Sequence, residues 1–447
     1  MFKLAIIGGG PAGYVAAQRL AAKGESVILF EKNELGGVCL NEGCIPTKTL
    51  LYSAKLYESI KNADKFGVKA LDPSFDYEKI LVRKEKVVKK LVGAIKASMR
   101  GLGVTVIKGT AIFDGGEKGD FKIVCEGEEY YAENVLLCTG SHTFRPKIGW
   151  LESASDKIIT SKEALKLTGL PDKIAIIGGG VIGMEFASLF NALGSQVSIF
   201  EMQNEILGSF DTDIAASLRK VYEAKGVKFF LNGDERGKTE ALEADLILLC
   251  IGRKPNVTGL GLETIGLKTD ERGQIAADSF MRTDVDGVYA AGDVTGKYML
   301  AHVASREAEV AVNNILGVAD KMSYSAVPSV VYTKPELACV GLTEKAARAQ
   351  NIDYEVRALP LTYSGRFVAE TERENGLCKI IYENESQKVL GIQILGGPAS
   401  EIISTCCLAI ENEVTLEDLR ETIFPHPSVS EIIKEVSWVD IIQQNLQ

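Results

Sequence analysis

One ten-residue pattern occurs twice and restricts the fold more than anything else in the chain. Residues 4–13 read LAIIGGGPAG, and residues 174–183 read IAIIGGGVIG. Each copy is an apolar run of strand length, a G-x-G-x-x-G turn, and the start of a helical pattern. The helical stretches are Tyr14–Lys23 and Met184–Leu193. Each is followed by a second apolar run ending in an acid, Val27–Glu31 and Val197–Glu201. Strand, glycine turn, helix and strand make a βαβ unit, with the acid placed where a nucleotide ribose is met. A lone glycine turn is weak, but both copies here stand in the full context.

The chemistry follows from the turn. The glycines at Gly8, Gly10 and Gly13, and at Gly178, Gly180 and Gly183, allow a tight bend and close backbone approach. The helix that follows aims its N-terminus at a pyrophosphate. Two such units predict two bound dinucleotides. Glu31 and Glu201 are expected to accept hydrogen bonds from ribose hydroxyls. An acid at Glu201 repels a 2′-phosphate, and Met202–Glu205 offers no arginine to hold one. NAD is therefore favoured over NADP.

The ends of the two units also match. Residues 134–140 and 245–252 are apolar runs leading into a glycine turn, and residues 287–293 form a third without a fingerprint of its own. The economical reading is an α/β protein with two Rossmann-like dinucleotide-binding domains, the second inserted in the first. The first would span 1–148 and 267–320, the second 149–266. Helical periods cover Tyr77–Arg100 and 303–316. From 321 the character changes to strands at 329–332, 378–382 and 389–395, then helices near 399–412 and 428–444. This predicts a C-terminal α+β domain over 321–447. Residues 229–245 leave little room in the second unit.

Composition narrows the function classes. The 447 residues carry a formal net charge of −10, which argues against a general nucleic-acid surface. No apolar run approaches the ~18–20 residues of a membrane span. The N-terminus enters its first strand without a charged leader, so no signal peptide is read and a cytoplasmic location is expected. There are three histidines, His142, His302 and His426, and no Cys-x-x-Cys pair, so no metal site is expected. His142 follows a turn and reads as solvated; His302 opens a helix. The nine cysteines cannot all pair. Cys138, Cys250, Cys339, Cys378, Cys406 and Cys407 sit in apolar segments and read as packing.

Cys39 and Cys44 stand apart. On an ideal helix their Cα atoms would lie ~8.6 Å apart, beyond the ~4.4–6.8 Å of a disulfide. A bridge needs an irregular turn, which Gly43 permits. Such a local bridge is reducible rather than structural. Spacing alone leaves two unrelated thiols equally open. The position, one short connection after the first fingerprint, tilts the reading towards a redox disulfide beside a cofactor. Thiols and nicotinamide exchange electrons by different chemistry. A flavin accepts from either, so FAD in one site and NAD in the other completes the circuit.

Six segments together resemble the pyridine nucleotide–disulfide oxidoreductases along essentially the whole chain. They are residues 8–13, 36–48 (GGVCLNEGCIPTK), 178–186, 291–293 (AGD), 330–336 (VVYTKPE) and 426–431 (HPSVSE). The resemblance is to those members that oxidise dihydrolipoamide with NAD⁺. It implies that Cys39 is the interchange thiol and Cys44 the charge-transfer thiolate against the flavin. Lys48 would approach the flavin and pair with Glu185. FAD would be held by Gly8, Gly10, Pro11, Ala12, Gly13, Glu31, Lys48, Gly109, Ala111, Thr139, Gly140, Ser141, Asp293 and Ala301. NAD would be held by Gly178, Gly180, Val181, Ile182, Gly183, Glu185, Glu201, Gly252 and Arg253. His426 would be the general base, oriented by Glu431 and supplied by the other subunit of a homodimer, with a cis bond to Pro427. Taken alone, His426 reads more often as a packing or capping residue; Glu431 behind it and the motif reverse that.

The implied electron donor is a lipoyl arm on an acyltransferase core or a glycine-cleavage carrier protein. The rival within the family is a reductase of another disulfide or of a metal ion, like glutathione or mercuric reductase. Against it stand Glu201 and the absence of a C-terminal cysteine pair. One departure is Phe424, where many members have histidine.

Overall fold

The structure is a computed structural model that describes residues 1–371 and 374–439. The first repeat builds a sheet in the order Thr105–Lys108, Val27–Glu31, Phe2–Ile7, Glu128–Leu137, Phe121–Cys125, Ala111–Phe113. The distant strand Val288–Ala290 also pairs, in parallel, with Val135–Leu137. The core pairings around Phe2–Ile7 are parallel. Leu4, Ala5, Ile6 and Ile7 are all buried. Helices Pro11–Ala21 and Ala301–Ile315 pack on one face, and Phe113, Phe121 and Ile275 fill the other. Cover on both faces explains why this strand reads as a continuous apolar run rather than an alternating one. The antiparallel strands Ala111–Phe113 and Phe121–Cys125 extend the edge.

The second repeat builds a separate, wholly parallel sheet: Lys228–Phe230, Gln196–Phe200, Lys173–Ile177, Leu246–Leu249, Ile158–Thr160. A two-stranded ribbon, Ser141–Thr143 against Arg253–Pro255, joins the two units. Residues 229–245 hold a short helix, Glu235–Leu242. Gly237 seats it, since a Cβ there would fall 2.5 Å from Phe200 Cδ2. The C-terminal part is an antiparallel sheet, Ser329–Val331, Leu337–Gly341, Val389–Leu395, Leu377–Glu383, Tyr354–Pro360. Helices Ala399–Glu411 and Glu431–Ser437 pack against it. Of the helix predicted over 428–444, residues 440–444 lie outside the described residues.

The second sheet's unit is fastened to the C-terminal sheet by a buried cation. Lys379 Nζ lies 3.1 Å from Asp211, 3.0 Å from Asp213 and 2.5 Å from Glu344. Asp211 further accepts from Gln393 Nε2 at 2.5 Å. These three carboxylates cluster as metal ligands do, but an ammonium sits among them. Removing it leaves like charges facing one another. Lys379→Met is expected to cost roughly 3–5 kcal/mol, read as a fall of several degrees in Tm by calorimetry. An unchanged Tm would show the cluster to be solvated. Among the described residues no helix is long and apolar enough to cross a membrane.

Candidate active site

Both glycine turns fold identically. Gly8 has φ 107° and Gly178 φ 105°, a region open to glycine and strained for other residues. A Cβ on Gly8 would fall 2.2 Å from Cys138 O, and one on Gly178 2.4 Å from Cys250 O. Gly13 and Gly183 press on the same turns, with a Cβ falling 1.8 Å from Gly8 O and 2.1 Å from Gly178 O respectively. These four glycines serve packing. Gly10 and Gly180 differ: no atom lies within 3.8 Å of a Cβ built there, and both line a cavity. Their missing side chains leave room for a ligand.

That cavity measures about 1610 Å³, beyond the ~300–1,000 Å³ of a single small-molecule pocket. It is lined by Glu31, Gly109 and Ala111, by Pro11 and Ala12, and by Thr139, Gly140, Ser141, Asp293 and Ala301, the last opening a 15-residue helix. Cys39, Cys44 and Lys48 line it too, as do Val181, Ile182, Glu185, Gly252 and Arg253. Two glycine turns, their helix N-termini and a thiol pair on one cavity leave room for two dinucleotides.

The two terminal acids are first of all structural. Glu31 accepts from Gly9 N and Asn33 N, both at 2.7 Å. Glu201 does the same with Gly179 N at 2.7 Å and Gln203 N at 2.8 Å. Each acid thus locks its glycine turn, and the spare lone pairs are what a ribose can use. Glu201 is not in the cavity wall. Arg253, expected among the NAD contacts, lines the cavity, and its Nε donates to Ser141 Oγ at 2.7 Å and its Nη2 to Ser141 O at 2.8 Å. Ser141 in turn donates to Asp293. The ribbon pairs Arg253 with Thr143, and its side chain reaches along to Ser141, two residues away.

The cysteines occupy the break between two helices. Cys39 lies in Gly37–Glu42, Cys44 opens Cys44–Lys61, and Gly43 between them has φ −146° and ψ −109°. This is the irregular turn the spacing demanded. Both cysteines are thiols in this structure. The Cys39 thiol donates to Cys44, which pulls Cys44 down to about 7 against its burial, with Lys48 adding to the pull. The same hydrogen bond, with burial, pushes Cys39 far up. Cys44 is thus the more acidic of the two thiols, and it stands at the positive end of an 18-residue helix. Lys48 follows Cys44 by one turn, on the same face.

Lys48 Nζ is held by Glu185 at 2.9 and 2.8 Å. Glu185 sits in the first turns of the second fingerprint's helix and is almost wholly buried. His426 Nδ1 lies 2.8 Å from Glu431 Oε1, and Glu431 also accepts from Ser428 N at 2.8 Å. The Ser428 amide holds the Glu431 carboxyl below the usual range. The His426–Pro427 bond is cis. The His426 side chain is 79% exposed and does not line its own chain's cavity. Within one chain, the base and the thiols are not brought together.

Residues 2–308 match the family described as pyridine nucleotide-disulphide oxidoreductase, and residues 327–437 match its dimerisation domain. The chain belongs to this family. It is 40% identical over 448 residues to the dihydrolipoyl dehydrogenase of Chlamydia muridarum, covering 97% of this chain and 96% of that one. It is 39% identical over 455 residues to that of Thermus scotoductus, covering 98% and 96%. Among solved structures, LpdA from Mycobacterium tuberculosis superposes with a TM-score of 0.89 at 27% identity, covering 100% of both chains. The HOCl-induced flavoprotein disulfide reductase RclA of Escherichia coli gives 0.84 at 29%, covering 98% and 99%. Membership implies FAD and NAD(H) as cofactors.

The structure also places residues that motif reading did not assign. Tyr332 presents its ring to Lys48, and its backbone N–H reaches Glu185 at 3.2 Å. Cys407, read as packing, is half-buried and lines the cavity. His302 Nε2 donates to Pro328 O, 2.9 Å away, and His142, exposed on the strand Ser141–Thr143, meets Asn256 Oδ1 at 2.7 Å. Phe424 packs on the C-terminal core.

Proposed function

We propose that the protein is a dihydrolipoamide dehydrogenase that works as a homodimer. The observation that carries this is the thiol pair, with Cys44 at a helix N-terminus one turn before Lys48, on one cavity with both glycine turns. In the oxidised pair, Cys44 is the better leaving group, because the lower-pKa thiol departs faster. A dihydrolipoyl thiol gives its proton to the partner subunit's His426 and attacks Cys39. The Cys39–Cys44 bond breaks and Cys44 leaves as thiolate. The second dihydrolipoyl thiol closes the lipoyl disulfide, its proton passing to the released Cys39, while the first proton stays on the imidazole until water takes it. Glu431 holds Nδ1, so that Nε2 is the exchanging atom. FAD, which would be held by the first glycine turn with Ser141 and Asp293, would supply the electron-pair acceptor between these thiols and NAD⁺.

The domain limits 1–148 with 267–320, 149–266 and 321–447 belong to this reading. So do the nucleotide contacts assigned above, Arg253 among those for NAD. A lipoyl-bearing acyltransferase core or glycine-cleavage carrier would be the donor, in the cytoplasm.

Coenzyme choice tests the reading against the NADPH-linked alternative. Arg219 and Arg236 are the two arginines between Glu201 and Leu246, and both are engaged by acids of their own, Glu205 and Asp234. Neither is offered to a 2′-phosphate. Like-charge contacts cost several kcal/mol, so kcat/KM with NAD⁺ should exceed that with NADP⁺ by ~100-fold or more. The measurement is dihydrolipoamide oxidation by purified, FAD-loaded protein. No turnover with NAD⁺, or a preference for NADP⁺, would overturn the assignment.

A further inference from the structure

Lys48 is held from two sides by parts of the chain that belong to different sheets. On one side are the two oxygens of Glu185, at 2.9 and 2.8 Å, from the second fingerprint's helix Val181–Ala192. On the other is the ring of Tyr332, whose centroid lies 4.6 Å from Nζ. Tyr332 follows the strand Ser329–Val331 of the C-terminal sheet. Lys48 itself stands on the helix that Cys44 opens. Tyr332 and Glu185 are also joined directly, by the Tyr332 N–H donating to Glu185 Oε1 at 3.2 Å. All three residues line the cavity that holds Cys44.

We propose that Tyr332 is a positioning residue, whose ring face holds the Lys48 ammonium beside Cys44. An aromatic face attracts a cation within about 6 Å of its centroid, more strongly where water is reduced. The Lys48 side chain keeps 30% exposure, so water competes for it. With the ring in place, that side of the ammonium faces tyrosine. Without it, water takes the contact, Glu185 alone directs the lysine, and the cation is free to swing away from the sulfur. The proposal rests on the reading of Cys44 and Lys48 given above and adds a residue to it. Because the bond to Glu185 runs through the Tyr332 backbone, side-chain replacements leave it in place and isolate the ring.

The test titrates Cys44 in the reduced holoenzyme by ¹³C NMR of cysteine-labelled protein. An opposite charge close by lowers a pKa by about 1–3 units, so a loosened Lys48 gives back part of that. Tyr332→Phe keeps the ring face and should keep the wild-type midpoint. Tyr332→Leu should raise it by about 0.5–1 unit and slow turnover while flavin stays bound. Should the leucine variant fold poorly, phenylalanines with one, three and five ring fluorines at 332 weaken the negative face at nearly constant size. The midpoint should then climb stepwise with fluorination. A flat series in an active enzyme would overturn the role of Tyr332 alone. Equal loss in the Phe and Leu variants with an unmoved midpoint would assign the residue to packing and overturn it too. A wild-type Cys44 that titrates as an ordinary thiol would bring down the underlying thiolate reading, and this proposal with it.

Discussion

Replacing His426 with glutamine is expected to lower dihydrolipoamide turnover about 10²–10⁴-fold, the usual worth of a positioned acid–base group, with flavin content unchanged. Glutamine fills similar space and can still bond Glu431, but it cannot take a proton. Free thiols of pKa about 8.5 are mostly protonated at neutral pH, so attack on Cys39 then waits for the small thiolate fraction. The loss should shrink as pH rises towards the thiol pKa, where the substrate ionises unaided. A stopped-flow pH profile of the reductive half-reaction measures this. Near-normal turnover at pH 7, or a loss that is flat with pH, would remove His426 from the chemistry.

Cys44→Ser is expected to abolish NAD⁺-linked oxidation of dihydrolipoamide outright, since a serine oxygen forms no bridge to Cys39 and offers no thiolate to be expelled. The glycine cradle does not depend on that sulfur, so FAD should remain. The two variants together test where the base comes from. In a dimer of one Cys44→Ser and one His426→Gln chain, one site pairs two defects and the other pairs intact Cys44 with the intact His426 of the other chain. Statistical mixing makes about half the dimers mixed, so ~25% of wild-type activity should return. If each chain used its own histidine, both sites of the mixed dimer would be dead and no activity would return. The 79% exposure of His426 within one chain favours recovery.

Much of this was legible because the deciding features are local. A glycine turn, its strand and its acid lie within about two dozen residues, and the chemistry of the turn forbids most substitutes. The Cys39–Gly43–Cys44 break and the His426–Glu431 pair are local as well. What stayed hidden depends on how separate sheets meet. Tyr332 lies inside a motif that was recognised, yet nothing in its spacing points to Lys48, 284 positions earlier. The bond from Arg253 to Ser141 joins residues 112 positions apart and exists only because the ribbon brings the two units together. Lys379 reads as a strand lysine until Asp211, Asp213 and Glu344 are placed around it. The helix Glu235–Leu242 is mostly polar and carries little apolar periodicity, so only its packing on Phe200 and Phe230 reveals it. The strands Ala111–Phe113 and Phe121–Cys125 are too short to stand out from their loops.

The pairing of Val288–Ala290 with Val135–Leu137 sets the order in which the molecule can be completed as it is made. The second sheet draws all its strands from one stretch, Ile158 to Leu249, and can close as soon as that stretch emerges. The first sheet begins with Phe2–Ile7 yet lacks its last parallel strand until about 150 residues after Leu137. At ~5–20 residues per second this is a wait of roughly 8–30 s. The half begun first is therefore finished second, with Asp293, three residues past that strand, and the helix Ala301–Ile315 still to come. During synthesis the nicotinamide-nucleotide cradle should be formed and protease-resistant while the flavin cradle is still open, an order that ribosome-stalled chains ending near residues 280 and 330 would display.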